Sequence, residues 1–287
     1  MRIHAVLAAA CMLLAGAVSA ATISVPADQP TIQDAINAAT AGDTIVVAPG
    51  TYSITSTIIV SKSLTLLGPQ ANVDPRPVAG TARVPGDAAS EAILDGGGSV
   101  GVIVRFAADN CTLSGFEVCN GTGDMVTSLG SASSMFAGLE VSYNILHNSG
   151  DEACQLKGVS AGRLSHNYVY SSAGDGLNLA YSNGCVIEDN ELYNIHSPDG
   201  GIYVYNDGAP AVMNMTIRRN YVHQTVNNDG IKVGGKNGVD DGVSGAQVVG
   251  NVTEDTAQDG ITVYMNNVTL KGNDVSGSSS VNGAIYI

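Results

Sequence analysis

An asparagine returns at a nearly constant interval through the second half of the 287-residue chain, and this repeat limits the fold more than any other feature. Its positions are Asn144, Asn167, Asn190, Asn220, Asn251 and Asn273. The steps are 23, 23, 30, 31 and 22 residues, and the short steps define a base period near 23. A period of roughly 20–50 residues is typical of stacked supersecondary units. The chain is therefore predicted to be a solenoid.

Each asparagine is followed, seven to nine residues later, by a polar turn. The turns are Gly150–Glu152, Asp175–Gly176, Asp199–Gly200, Asp229–Gly230, Asp259–Gly260 and Asn282–Gly283. Alternating apolar residues come after the first five turns: Cys154 and Leu156, Leu177 and Leu179, Ile202 and Val204, Ile231 and Val233, Ile261 and Val263. Further short runs flank each asparagine, with apolar residues three positions before it and, in all but one repeat, two positions after it. Alternation with a period of two predicts three short strands per repeat and no helix.

Three strands per repeat distinguish this chain from a leucine-rich repeat, which has a dense leucine framework and one strand per turn. Stacked coils of three strands form a parallel β-helix, in which equivalent residues lie ~4.8 Å apart. The asparagines are then expected to form an internal ladder of side-chain amides that also satisfies backbone groups of the turns. An ordinary preference of asparagine for turns accounts for each residue singly, but not for its constant register with the apolar columns.

Two N-terminal segments, Thr31–Asn37 and Ala48–Tyr52, resemble the cap and first coil of right-handed parallel β-helices of the pectate-lyase-like superfamily. The resemblance covers nearly all of the chain beyond residue 20. It implies an all-β, right-handed parallel β-helix with a short N-terminal capping helix. The superfamily includes polysaccharide lyases, hydrolases, epimerases and non-catalytic surface proteins, so the resemblance is specific for fold and weak for activity.

The first 20 residues have the pattern of a secretory signal peptide. Arg2 and His4 precede an apolar run from Ala5 to Val18, and Val18–Ala20 provides a small-residue cleavage site. The apolar run is too short to span a membrane. We therefore predict a secreted protein, extracellular or at the cell surface, with a periplasmic location also compatible, and a single β-helix domain over residues 21–287.

The N-terminal part of this domain is predicted to hold its cap. Thr31 followed by Asp34 is a capping-box-like start for a short amphipathic helix that continues to Ala39. The first strand is expected at Ile45–Val47, and the proline-rich stretch Gln70–Ser90 is expected to project as a loop from an early coil.

The C-terminal end shows no comparable cap. Ile285 and Ile287 continue the inward column, and Tyr286 continues the outward one. A solenoid needs a terminal unit that shields its core and its edge. We therefore predict that C-terminal coils and a cap are missing from residues 21–287, and that this end self-associates end to end.

The charge of the chain limits its partners. Beyond residue 20 there are 11 basic and 26 acidic residues, a formal charge of −15. This charge argues against nucleic acid, whose binding needs clustered lysine and arginine. It also disfavours an acidic polysaccharide unless a bound cation such as Ca²⁺ or a local basic patch offsets the field.

Four cysteines remain beyond residue 20: Cys111, Cys119, Cys154 and Cys185. Cys111 and Cys185 share one inward column but are three coils apart, about 14 Å at strand spacing, which is too far for a disulfide. Cys154 occupies the inward column that Leu177 fills in the next repeat. The cysteines are interpreted as small core residues.

Candidate site residues come from the strand after each Asp-Gly turn. Its outward columns contain Gln155, Asn178, Tyr203, Lys232, Thr262 and Tyr286, and next to them Lys157, Ala180, Tyr205, Gly234 and Tyr264. The approaching loops are expected to bring His147, Tyr170, Tyr193, His196 and His223 to the same face. Aromatic and convergent polar groups suit a carbohydrate site. The predicted substrate-binding residues are Tyr203, Tyr205, Tyr264, Asn178, Gln155 and His196.

Three functions remain open on this face. A polysaccharide lyase or epimerase needs a base and cations to stabilise an enolate; the candidates are Lys232, His223 and Lys157, with Ca²⁺ at Asp240 and Asp241. A hydrolase needs two carboxylates, for which Asp229 and Asp259 are one coil apart. The chain has no tryptophan and lacks the arginine signatures of pectate lyases and the paired-aspartate and Gly-His-Gly pattern of hydrolases of this fold. These gaps favour the third reading, a non-catalytic binding or scaffold module. We nevertheless rank the lyase or epimerase first.

Overall fold

The computed structural model describes residues 20–206, 212–235, 244–280 and 284–287. Each complete coil contributes one strand to each of three parallel sheets, here named A, B and C in chain order. The structure thus confirms the predicted parallel β-helix with three strands per coil.

Sheet A consists of Thr22–Val25, Thr44–Val47, Thr65–Leu67, Thr112–Ser114, Glu140–Ser142, Arg163–Ser165, Val186–Glu188, Val212–Arg218, Ser244–Val249 and Asn266–Lys271. Sheet B consists of Gly50–Ser53, Ala92–Asp95, Glu117–Cys119, Ile145–Ser149, Tyr168–Ser172, Glu191–Tyr193, Tyr221–His223, Val252–Glu254 and Asp274–Ser276. Sheet C consists of Ile58–Val60, Val104–Phe106, Val126–Leu129, Cys154–Lys157, Leu177–Ala180, Gly200–Tyr205, Asp229–Gly234, Ile261–Tyr264 and Ile285–Tyr286. A two-stranded sheet pairs Phe136–Ala137 with Val159–Ser160.

The core is a set of apolar columns that follow from the alternation in the sequence. In sheet B, for example, the inward residues Leu146, Val169 and Leu192 are register neighbours and are fully buried. All four cysteines in the described part of the chain are buried and free of disulfides. Because like residues stack at strand spacing, the apolar interior of each coil is covered by the coils on either side. A single coil is therefore not stable by itself.

The predicted asparagine ladder is present at the corner between sheets A and B. The side-chain amide of each asparagine donates to the carboxamide oxygen of the next, with distances of 3.2, 3.0, 2.9, 2.9 and 3.0 Å from Asn144 to Asn273. The same oxygens accept the backbone N–H of the preceding asparagine at 2.9–3.1 Å. The ladder therefore satisfies buried polar groups that the strands leave unpaired at each corner.

The residue just before each ladder asparagine adopts a left-handed backbone conformation. Glycine occupies this position at Gly250 and Gly272, but Tyr143, His166, Asp189 and Arg219 adopt φ values of 53–56° there. The corner is only two residues long, and a left-handed residue turns the chain sharply enough to start the next strand. The non-glycine side chains gave no sequence signal for this turn.

The N-terminal cap is largely as predicted. Helix Ile32–Ala38 begins at Thr31, whose hydroxyl accepts the Asp34 backbone N–H at 3.1 Å, and it buries Ile32 and Ile36. The expected first strand was wrong in order, because Thr22–Val25 precedes the helix and pairs with Thr44–Val47. The strand Thr22–Val25 therefore forms the N-terminal edge of sheet A, and the helix packs beside it.

The proline-rich segment does not project, contrary to the prediction. It contains a short 3₁₀ helix, Pro77–Ala79, and folds back over the outer side of sheet B. Gly86 N–H donates to Glu117 Oε2 at 2.7 Å, and Val78 N–H donates to Glu191 Oε2 at 2.7 Å. Arg83 is buried and anchors the segment through both oxygens of Glu91, each at 2.8 Å.

The last described strand, Ile285–Tyr286, is in the predicted register, with Ile285 beside Ile261 and Tyr286 beside Thr262. Ile285 and Tyr286 are 40% and 37% exposed. The continuation of the chain and its end-to-end association stay predictions. Among the described residues, no helix has the length and apolar character needed to cross a membrane.

Candidate functional site

The outer face of sheet C carries the polar column predicted from the repeat. Successive register pairs place Thr127, Gln155, Asn178, Tyr203, Lys232 and Thr262 side by side on six neighbouring strands. Lys157, Ala180 and Tyr205 form the second column, and Gly234 and Tyr264 continue it. The structure therefore brings five of the six predicted binding residues together in two adjacent columns, with His196 outside them.

This first column is far less accessible than expected. Gln155, Asn178 and Lys232 are only 2–7% exposed, although they point away from the apolar core. The carboxylates of the preceding turns fold over them. Gln155 donates to Glu152 at 3.0 Å and Asn178 donates to Asp175 at 2.6 Å. The acid lies three positions before its partner in each case, so the turn covers the start of its own strand.

Lys232 is the exception to this local pairing. Its Nζ donates to Asp199 Oδ1, on the turn of the preceding coil, at 2.9 Å. The same ammonium lies 4.9 Å from the ring centroid of Tyr203, within range of a cation–π contact. The Lys232 side chain is 9% exposed, whereas that of Asp199 is 39% exposed. The pair thus presents a partly open carboxylate above a nearly buried cation.

Two carboxyl groups on the turns that precede sheet C strands have raised pKa values. Burial raises the pKa of Asp175 to about 6, against hydrogen bonds from Ser197 and Asn178 that favour the charged form. Burial likewise raises the pKa of Asp229 to about 6, and the Asp259 carboxylate adds to this shift. Lys232 acts in the opposite direction on Asp229. Near neutral pH both groups are therefore close to the point where they exchange protons.

The two carboxylates considered for hydrolysis lie on adjacent turns. Asp229 Oδ1 accepts the backbone N–H of Asp259 at 3.1 Å, and Asp259 Oδ2 accepts from Thr262 at 3.4 Å. Both aspartates are 4–5% exposed. Asp229 Oδ1 and Asp259 Oδ2 therefore hold the turns, whereas Asp259 Oδ1 is buried with no hydrogen-bond partner among the described residues.

The predicted convergence of histidines with Lys232 was wrong. His147, Tyr170, Tyr193 and His223 are register neighbours on the outer face of sheet B, not of sheet C. His223 stacks on Tyr221 at 4.3 Å and contacts Glu191 at 3.3 Å. It therefore cannot act with Lys232 at one reaction centre. His147 and Tyr170 stack along the helix axis with planes at 3°, so these two rings present edges rather than faces to a ligand.

The remaining candidates are spread along the β-helix. Lys157 lies three strands from Lys232 in sheet C, about 14 Å at strand spacing. His196 is exposed at the corner between sheets B and C, where its Nε2 lies 3.1 Å from Asn194 Oδ1. Lys157 and His196 are thus separate from the Lys232 centre. The sequence did not identify Asp199 as the partner of Lys232, because 33 residues separate the two.

Comparison with known proteins supports the architecture. No protein-family description matches the sequence, and no curated protein matches it. Solved structures do match. An alginate lyase from Paenibacillus sp. str. FPU-7 has a TM-score of 0.59 at 14% identity over 93% of this chain and 97% of its own. The pectate lyase Pel9A has a TM-score of 0.58 at 14% identity over 88% and 76%. The A-module of the Azotobacter vinelandii mannuronan C-5 epimerase AlgE6 has a TM-score of 0.53 at 14% identity over 88% and 72%.

The chain shares the parallel β-helix fold of these three solved structures. At this level of identity the likeness shows the right-handed parallel architecture and leaves the chemistry to the site itself.

The expected calcium ligands, Asp240 and Asp241, lie outside the described residues. Within the described part of the chain, the carboxylates of Asp124, Asp151 and Glu152 approach one another within 4.8 Å at the corner between sheets B and C. Oxygen donors of this kind suit a hard cation. Burial, with repulsion from Asp124 and Asp151, raises the pKa of Glu152 to about 9.

Replacing Glu152 by Gln should stabilise the protein in alkaline solution. Because the folded pKa of Glu152 exceeds its unfolded value, the native state binds the extra proton, and stability falls as pH rises from about 4.5 towards 9. Glutamine keeps the shape and removes this titration. We expect a gain on the order of 2 kcal/mol at pH 8 and none near pH 4. Thermal melts of both proteins across this range test the prediction, and parallel pH profiles would contradict it.

Proposed function

We propose that the chain acts on a uronate-containing polysaccharide on the outer face of sheet C, as a lyase or epimerase. The observation that carries the proposal is the Lys232 ammonium held between Asp199 and Tyr203. Both reactions remove the proton beside a sugar carboxylate, and both need a cation to stabilise the enolate that forms. The fold shared with lyases and an epimerase is compatible with this chemistry.

The geometry suggests how the reaction could proceed. A substrate carboxylate would replace Asp199 as the partner of Lys232, and the ammonium would neutralise its charge. Asp199, released from Lys232 and 39% exposed, would then accept the C5 proton. In a lyase the C4=C5 double bond would then form as the glycosidic oxygen leaves and takes a proton from solvent, whereas in an epimerase C5 would take a solvent proton on its opposite face. Tyr205 and Tyr264, half-buried in the second column, would contact the sugar rings.

Among the described residues, three basic side chains lie on this face among the carboxylates of the turns. The chain as a whole is strongly acidic, but Arg105, Lys157 and Lys232 all lie on the outer face of sheet C. They are spaced by two and three strands, roughly 10 and 14 Å. This row supplies the local basic patch that an acidic polymer requires.

Replacing Lys232 by Met should lower turnover at least about 100-fold, because methionine keeps the apolar stem and removes the charge that stabilises the enolate. The measurement is absorbance from unsaturated uronate ends over a panel of pectate, alginate and related polymers, with NMR of the same digests to detect epimerised residues. Lys271→Met, an exposed lysine on sheet A, is the matched control and should keep wild-type rates. Full activity of the Lys232 variant would remove this residue from catalysis. Unchanged polymers with the wild-type protein would overturn the enzymatic proposal.

A second candidate is a non-catalytic polysaccharide-binding module. The burial of the first column and the existing Lys232–Asp199 ion pair favour it, because a filled face leaves less room for a reacting sugar. Under this alternative, wild-type protein would be retained on a polyuronate resin without changing the polymer. Tyr205→Ala and Tyr264→Ala would weaken retention while leaving the fold intact.

We also propose that the protein is exported, because a polysaccharide substrate lies outside the cytoplasm. The signal pattern of residues 1–20 supports it. N-terminal sequencing of protein recovered outside the cytoplasm of an expressing bacterium should begin at Ala21. Sedimentation of the same material tests the predicted end-to-end association.

A further inference from the structure

Three metal-binding side chains meet on the outer face of sheet B, away from the Lys232 centre. Glu117 and Cys119 are alternate residues of one strand, so both point outward. Register pairing places His147 beside Cys119 on the next coil. The carboxylate, thiol and imidazole donor atoms all lie within 4.8 Å of one another. Such a mixed set of oxygen, sulfur and nitrogen donors is typical of a zinc site.

Cys119 differs from the other cysteines. Cys111, Cys154 and Cys185 belong to the apolar core cluster, whereas Cys119 faces a carboxylate and an imidazole. A plain Glu117–His147 ion pair, with Nε2 and Oε1 2.8 Å apart, would account for two of the three groups. It gives no reason for a thiol in the outward column of a strand. A bound metal ion would be coordinated by all three side chains.

The surroundings hold the donors in place. The backbone N–H of Gly86 donates to Glu117 Oε2 at 2.7 Å, leaving Oε1 towards His147. The His147 ring stacks on Tyr170 with centroids 4.6 Å apart and planes at 3°. His147 is 9% exposed, and its Nδ1 is buried with no hydrogen-bond partner among the described residues. The Gly86 hydrogen bond and the Tyr170 stack therefore orient Glu117 and His147, while Nδ1 has no partner in the described part of the chain.

We propose that Glu117, Cys119 and His147 bind a zinc ion that links two adjacent coils of sheet B. The thiol proton leaves to solvent when the metal binds, as for any thiolate ligand. The fourth position goes to a solvent molecule. The site is distinct from the polysaccharide face, and its role is to stabilise the coils beneath the proline-rich segment.

Metal binding to the full-length protein tests the proposal directly. Chelator-treated protein is loaded with zinc, freed of excess by gel filtration and analysed for bound metal. We expect about one zinc per chain, and a thiolate-to-cobalt charge-transfer band when cobalt replaces zinc. Cys119→Ser and His147→Gln should each weaken binding at least about 100-fold and abolish or shift the band. Cys185→Ser is the matched control, because its thiol bonds only to backbone groups among the described residues.

Several outcomes would overturn the site. These are substoichiometric zinc in the wild-type protein, zinc binding with no charge-transfer band in the cobalt-loaded protein, and equal zinc affinity in the Cys119 and Cys185 variants. Zinc held by the carboxylates of Asp124, Asp151 and Glu152 would give the second of these results. If the Cys119 variant does not fold, His147→Gln and the rise in the wild-type melting temperature with zinc, but not with magnesium, decide the matter.

Discussion

Asn190→Leu is expected to destabilise the protein by about 2–6 kcal/mol, because it removes a fully buried member of the ladder. Asn190 Oδ1 accepts the backbone N–H of Asn167 at 2.9 Å, and its Nδ2 donates to the carbonyl of Leu164 at 3.0 Å. Leucine has a similar volume but leaves both backbone groups without a partner. Each such buried group costs about 1–3 kcal/mol. The melting temperature should fall by roughly 5–15 °C.

The matched control for this variant is Asn37→Leu on the capping helix. Asn37 is exposed, and its side chain accepts a single hydrogen bond, from Gln33 at 3.1 Å. Its replacement should change the melting temperature by no more than a degree or two. If both variants melt together, the ladder contributes little to stability and the interpretation of the repeat fails.

Arg83→Met is expected to cost about 3–5 kcal/mol, because it leaves the Glu91 carboxylate buried without its partner. Arg83 and Glu91 side chains are 2% and 0% exposed. Arg83 also donates to the carbonyl of Tyr143 at 2.6 Å, so it ties the proline-rich segment to the ladder corner. The measurement is chemical unfolding with a tyrosine or far-ultraviolet signal.

Two further proteins identify the origin of this loss. The double variant Arg83→Met/Glu91→Leu should recover part of the stability, since no buried charge is left unpaired, although the Tyr143 carbonyl still lacks its donor. Arg163→Met should cost less than about 1 kcal/mol. Arg163 is half exposed, and its partner Glu188 keeps Arg218 at 2.6 Å and Arg219 at 2.7 Å. An Arg83 variant as stable as the Arg163 variant would show that the segment is not anchored by this pair.

The sequence predicted the columns of sheet C well. Ile202, Tyr203 and Val204 alternate in a strand, so a known inward residue fixes which neighbours point outward. Parallel stacking then aligns each coil with the next, and Tyr203 falls beside Lys232 as expected. The alternation does not predict how exposed each outward side chain is. The burial of Lys232 depends on the Asp199 carboxylate, which reaches it from the preceding turn.

The proline-rich segment and the sheet B face show the same limit. Residues 70–90 have no periodicity, so their path over Glu117 and Glu191 follows from long-range hydrogen bonds alone. His223 was assigned to the wrong face, because the residues between an asparagine and its Asp-Gly turn contain both a strand and a corner. The position of that corner decides which way the side chain points.

The sequence by itself determined the solenoid, its three strands per coil, the asparagine ladder and the inward columns. All of these repeat every coil, so each is stated many times over in the chain, and stacking at a fixed strand spacing converts the repeat into contacts. The tertiary structure alone decided the Lys232–Asp199 pair, the fold-back of residues 70–90 and the meeting of Glu117, Cys119 and His147. These features occur once and join residues 33, 113 and 30 positions apart, respectively, in pairs such as Lys232–Asp199, Val78–Glu191 and His147–Glu117. Their geometry comes from coil lengths and corner angles, which no local pattern specifies.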